Sequence, residues 1–174
     1  SWVGGDMDGN PNVNAKTIRS TLARQRSLIL DLYYRECRSL SAKLSQSLTR
    51  VDVDQKLLDR IERSRGNFQH AYHAVPARHR EMPYRVFLRL VQERLQATYD
   101  DDAYPYEKAS ELRDDIRLIA TSLEANKGDH AGLFAVRRLL RRIDTFGFHF
   151  LTLDIRQDGL VLREVVGKLL GEDD

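Results

Sequence analysis

The chain has a single cysteine, Cys37, among its 174 residues. With no second thiol it forms no internal disulfide, which fits a reducing compartment. Cys37 has no evident base beside it in sequence and reads as a buried helical thiol rather than a nucleophile. No apolar run approaches the roughly 20 residues that a membrane span needs. The opening residues are rich in Gly and Asp rather than basic then apolar, so no signal peptide is predicted. Excess charge is missing as well. Lys and Arg total 28 against 26 for Asp and Glu, a formal net charge of +2. That surplus is too small to imply nucleic-acid binding. There is no internal repeat, no low-complexity tract and no initiator Met, and the last of these fits processing, a removed tag or a piece cut from something larger.

What is present is mostly amphipathic helix. The composition is 41% hydrophobic and 31% charged, that of a globular, helix-rich chain. Asn14 is a good N-cap for a helix over about 15–47, whose apolar positions Ile18, Leu22, Ile29, Leu32, Tyr33, Leu40 and Leu44 recur at three- and four-residue steps. Asp52 or Asp54 starts a shorter helix through Arg63 that buries Leu57, Leu58 and Ile61. Residues 65–82, with Gly66 and Pro76, read as a loop with one helical turn. Pro83 suits the first turn of a helix over 82–100 that buries Val86, Phe87, Leu90, Val91 and Leu95. A helix over about 107–126 buries Leu112, Ile116, Ile119, Ala120 and Leu123. The glycines of NKGDHAG break the chain before another helix that ends at Gly147. The period then changes. FHFLTLDI (148–155) carries apolar residues at 148, 150, 151, 153 and 155 and is predicted to be a buried strand. QDGLVLREVVGKLL closes the chain as a short helix. The fold class is therefore mainly α, with short strands at the two ends, SWV and FHFLTLDI. Two strands alone are marginal in water, so they are expected to belong to a larger sheet.

The opening stretch, SWVGGDMDGNPNV (1–13), is the richest in chemistry. Asp6, Asp8 and Asn10 have the spacing of the first ligands of a calcium loop. That loop needs Gly and Glu at its sixth and twelfth positions, where Pro11 and Thr17 stand, so the calcium reading fails. Gly4, Gly5 and Gly9 permit close backbone approach just ahead of a helix N-terminus, the makings of an anion cradle. A plain structural turn is the simpler alternative on residues alone. His70 and His73 have helical metal spacing but no third ligand. RRLLRR (137–142) sets Arg137, Arg138, Arg141 and Arg142 along one helix. It reads as a solvated or interdomain face, or as the contact of a stand-alone helical domain with an acidic partner.

SWVGGDMDGNPNV resembles the SWxGGDRDGNPxV segment of the phosphoenolpyruvate carboxylase family. FGFHFLTLDIRQDG (146–159) is similar to that family's LDIRQ signature, and PYRVFLRLVQERL (83–95) to the helix between them. The order and spacing agree along the whole chain. Met7 departs from the pattern, standing where the family often has Arg. The resemblance implies a (β/α)8-type barrel with many extra helices. This chain would supply a strand end and Gly-rich loop (1–13), a helical insertion (14–147), and a strand with the LDIRQ motif and its following helix (148–174). It implies a cytoplasmic, homotetrameric, allosteric carboxy-lyase. That enzyme adds bicarbonate to phosphoenolpyruvate, yielding oxaloacetate and phosphate, with Mg²⁺ or Mn²⁺, an anaplerotic carbon dioxide fixation feeding the tricarboxylic acid cycle. The TAHPTE-like, FHGRGG-like and GYSDS-like segments and the metal carboxylates are not in this sequence. The chain alone is therefore expected to be inactive and to self-associate.

By the same resemblance Arg156 is a phosphoenolpyruvate ligand; without it, an arginine after a strand is usually a surface ion-pair residue. Asp154 alternates with Arg156 and would orient it, and Gln157 would add a hydrogen bond; strand-end capping is the alternative for both. Trp2, Gly5, Asp6, Asp8 and Asn10 would shape the pocket. Trp2 is either a wall on the bicarbonate side or a core residue. Asp6 and Asp8 are read as fixing arginines rather than metal. Arg85, in PYR, would belong to an activator-binding surface at a subunit contact. His149, at the head of the predicted strand, is read as structural.

Overall fold

The computed structural model describes residues 4–8, 10 and 12–171. In chain order it contains α1 (Ala15–Lys43), α2 (Gln55–Asn67), α3 (Gln69–His73), a 3-10 turn at Ala77–His79, α4 (Pro83–Asp100), α5 (Ala109–Ala125), a π-type turn at Asp129–Leu133, α6 (Phe134–Phe146) and α7 (Gly159–Leu170). The chain divides into two compact units. One comprises the residues up to Ser27 together with those from His149 onward, and the other is Leu28–Phe148.

Short polar side chains begin three of these helices, α1, α2 and α7. Asn14 Oδ1 accepts from the backbone N–H groups of Lys16 at 3.0 Å and Thr17 at 3.2 Å, satisfying donors that have no partner within the helix. Of the two aspartates eligible to start α2, it is Asp54 that accepts, from Lys56 N at 2.9 Å. Pro83 occupies the first turn of α4. Glu111 Oε1 reaches back to the N–H groups of Glu107 and Lys108, each at 3.1 Å. Asp158 accepts from Leu160 N to begin α7. The segment 65–82 is more helical than its sequence suggests, holding α3 and the 3-10 turn. Gly132 closes the π-type turn at a φ of +106°, and a Cβ there would stand 2.7 Å from Leu44 Cδ2.

The Leu28–Phe148 unit has a continuous core that includes Tyr33, Cys37, Leu44, Leu57, Phe87, Leu112, Ile116 and Leu139, all buried. Each large apolar side chain so buried is worth about 1.5–3 kcal/mol. One charged network sits within it. Asp115, 4% exposed, accepts from Arg60 Nε at 2.7 Å and Arg60 Nη2 at 3.1 Å and from the Tyr106 hydroxyl at 2.8 Å. The Arg94 guanidinium lies 4.0 Å from the centre of the Tyr106 ring and pairs with Glu111. Burial works against the Glu111 carboxylate, but the hydrogen bonds from Arg94 and the Lys108 and Glu107 backbone outweigh it and hold its pKa below the usual range. Burial pushes the Tyr106 hydroxyl and the Cys37 thiol well above their ordinary values, so both are neutral.

The predicted strands are not found. SWV lies outside the described residues, and among those described no strand forms. Residues 148–155 run irregularly, with Phe150 at a φ of +65° and with Leu151 and Ile155 exposed at 44% and 59%. Alternating hydrophobicity marks two faces, but a strand exists only where a neighbouring backbone takes its N–H and C=O groups. The neighbour here is the glycine loop, and it supplies a single parallel bridge, between Asp6 and Arg156. His149 accordingly heads an exposed, irregular stretch rather than a strand.

Candidate functional site

That bridge joins the two end motifs. Arg156 N donates to Gly5 O at 3.0 Å, and Met7 N donates to Arg156 O at 2.9 Å. The approach is close enough that a Cβ on buried Gly5 would stand 2.4 Å from Asp154 O and 3.1 Å from Leu153 Cγ. A hydrogen is therefore the side chain this contact admits. Gly4, at a φ of +81°, lies as tightly against Thr21 of α1: a Cβ there would fall 2.4 Å from Thr21 Oγ1.

The structure brings Gly5, Asp6, Asp154 and Arg156 together through their backbones. Asp6 is half-buried, and its Oδ1 is shielded from solvent without a hydrogen-bond partner among the described residues. Such an atom is costly unless a donor meets it. Arg156 and Asp154 are exposed, and each has interactions within the chain. Gln157 is half-buried, and its Oε1 accepts from Asp158 N at 2.9 Å. That places it at the start of α7. Asp8 and Asn10 are exposed, and Asn10 Oδ1 accepts from Asn12 N at 3.1 Å, a local turn. Trp2 lies outside the described residues.

Arg85 belongs to the Leu28–Phe148 unit. Its Nε donates to Ser41 O at 2.8 Å and its Nη2 to Ala42 O at 3.0 Å, so it covers the open carbonyls at the end of α1. Its Nη1 meets His79 Nε2 at 2.9 Å. Burial, then the charges of Arg85 and Arg78, hold the His79 pKa below its ordinary value. A cavity of about 470 Å³ lies here, with Arg38, Arg78, His79, Arg85 and Arg89 among its walls. The RRLLRR arginines are largely engaged by their own unit. Arg138 and Arg142 pair with Glu36 of α1, and Arg137 pairs with Glu124 of α5 at 3.0 Å. That spends the charge a stand-alone acidic-partner surface would need, and that reading is not favoured. His73 packs edge-on against Tyr72. Among the described residues no three His, Cys, Asp or Glu side chains converge as a metal site would require.

Sequence reasoning missed two contributors to this corner, Thr21 and Gln25. Both sit on the first half of α1, one turn apart, half-buried and polar. Their spacing on one helix face was visible, but their partners, distant in the chain, were not.

The fold is a helical segment in which two motifs distant in the chain meet at one backbone bridge. A family model described as phosphoenolpyruvate carboxylase matches residues 1–172. Over 174 residues the chain is 51% identical to a phosphoenolpyruvate carboxylase of Xanthomonas oryzae pv. oryzae, covering all of this chain and 19% of that protein. It is 38% identical to one of Ralstonia nicotianae and 34% identical to one of Bradyrhizobium diazoefficiens, with 98% of the chain covered in both cases. The chain belongs to the phosphoenolpyruvate carboxylase family and spans about a fifth of the length of these relatives.

Proposed function

We propose that this chain is the part of a phosphoenolpyruvate carboxylase that grips the substrate through Arg156. The observation that carries this reading is the backbone bridge seating Arg156 beside the glycine loop. The whole enzyme would add bicarbonate to phosphoenolpyruvate, forming oxaloacetate and releasing inorganic phosphate. A guanidinium is suited to either anionic group of this substrate, offering a planar fork of N–H donors and holding its charge when water is excluded. Gly5 and Asp6 would form the adjoining wall. Trp2, Asp8, Asn10 and Gln157 would complete the pocket's outline, and Asp154 would orient Arg156. The unpartnered Asp6 Oδ1 supports the idea that an arginine from elsewhere in the enzyme docks there.

A divalent cation, Mg²⁺ or Mn²⁺, is proposed for the reaction. Asp6 and Asp8 do not make a ligand set for it, one half-buried and the other exposed, so its ligands would come from outside this chain and no step is derived through it. The parent is proposed to be a cytoplasmic, allosteric homotetramer, with Arg85 and the basic cavity contributing to activator binding. Separated from the rest, the chain would be inactive and would self-associate.

The test is Arg156→Ala in the full-length enzyme. KM for phosphoenolpyruvate should rise about tenfold or more, the worth of one charge-assisted hydrogen bond. Unchanged affinity would remove Arg156 from the substrate site.

A further inference from the structure

The bridge between the two motifs is a pair of hydrogen bonds, too little to fix two irregular segments on its own. Helix α1 supplies the remainder. Thr21 and Gln25 stand four residues apart, on one face of the helix. Thr21 packs against the backbone of Gly4, close enough that no side chain fits between them. Its hydroxyl donates to Thr17 O at 2.8 Å, which fixes its rotamer. One turn on, the Gln25 amide faces the other motif. With its nitrogen turned toward the acceptors around it, it donates to His149 O at 3.1 Å and Leu151 O at 3.2 Å. One helix face therefore holds the glycine loop with one residue and the segment leading to Arg156 with the next.

We propose that Thr21 and Gln25 are positioning residues. They hold the two motifs in the register that sets Arg156 beside Gly5, and so tune the affinity for the anionic substrate. The inference rests on the reading of Arg156 as a substrate ligand. His149 O and Leu151 O lie in a stretch that forms no strand, so the Gln25 amide replaces ladder partners that an irregular backbone lacks. Removing it frees Leu151 O, leaves His149 O with the Leu151 N–H alone at 2.7 Å, and lets the segment drift, and displacements on the scale of an ångström are costly at a binding site.

The experiment uses the full-length enzyme with Gln25→Glu, which keeps the shape and removes both donors, and Thr21→Ala, which opens a gap behind Gly4. KM for phosphoenolpyruvate should rise roughly three- to tenfold in each, with kcat within about twofold. Thr21→Val, which preserves the packing volume, should restore a wild-type KM. If Gln25→Glu does not fold, Gln25→Met serves in its place, of similar length and without charge or donor. Combination with Arg156→Ala decides whether the effect passes through that residue. Gln25→Glu should add nothing to KM once Arg156 is gone.

A normal KM in Gln25→Glu or in Thr21→Ala overturns the inference, as does a full additive effect on top of Arg156→Ala. A normal KM in Arg156→Ala alone instead sinks the substrate-ligand reading on which it rests. The two failures are thereby told apart.

Discussion

Asp115 shows how a charge survives inside this molecule. Its carboxylate is met by the Arg60 guanidinium through two nitrogens and by the Tyr106 hydroxyl, while Arg94 lies over the Tyr106 ring. Every donor facing it has a use, and a carboxylate only 4% exposed has little access to solvent. Removing it leaves Arg60 and the Tyr106 hydroxyl without their acceptor. Asp115→Ala should therefore cost about 3 kcal/mol, the usual penalty for breaking a buried pair from one side. The midpoint of urea unfolding reads this directly, and a loss under about 1 kcal/mol would mean that water or a rearranged Glu111 takes its place. Arg137→Ala, whose ion pair is solvent-exposed, should barely move the same midpoint.

At the scale of elements, helix ends depend on side chains from elsewhere in the chain. Arg85, on α4, covers the carbonyls of Ser41 and Ala42 at the end of α1. Arg85→Ala should fray that last turn at a cost of about 1 kcal/mol. Hydrogen exchange should quicken at the Leu44 amide, which bonds Leu40 O at 2.8 Å, while amides in the middle of α5 keep their protection. The helices themselves were legible in the sequence. Asn14, Pro83 and Gly147 mark their ends by local chemistry, and Val86, Phe87, Leu90, Val91 and Leu95 recur at helical spacing and are buried as expected. The lack of a strand at 148–155 was not legible, because an alternating pattern specifies faces but not the neighbour needed to complete a ladder. The candidate site was partly legible. The two motifs announced themselves, but their pairing and the help they receive from Thr21 and Gln25 are long-range facts that no local pattern carries.

For the molecule as a whole, the telling surface is α7. Leu160, Leu169 and Leu170 are 73%, 79% and 70% exposed, and Val161, Leu162, Val165 and Val166 are also open to solvent. Such a contiguous apolar helix favours association. Sedimentation of the isolated chain should show concentration-dependent dimers or larger species, and Leu160→Lys with Leu169→Lys should return it to monomer. A clean monomer at high concentration for the unaltered chain would contradict the proposed self-association.

The missing side chain at position 5 has a bearing on inheritance. Because that residue presses on the carbonyl of Asp154, anything bulkier than hydrogen there has to be answered by a shift in a stretch encoded far downstream. The first signature's glycine is thus read against the backbone of the second. A lineage that replaces the glycine is obliged to move the backbone at position 154, so the glycine should be kept wherever that close approach is kept.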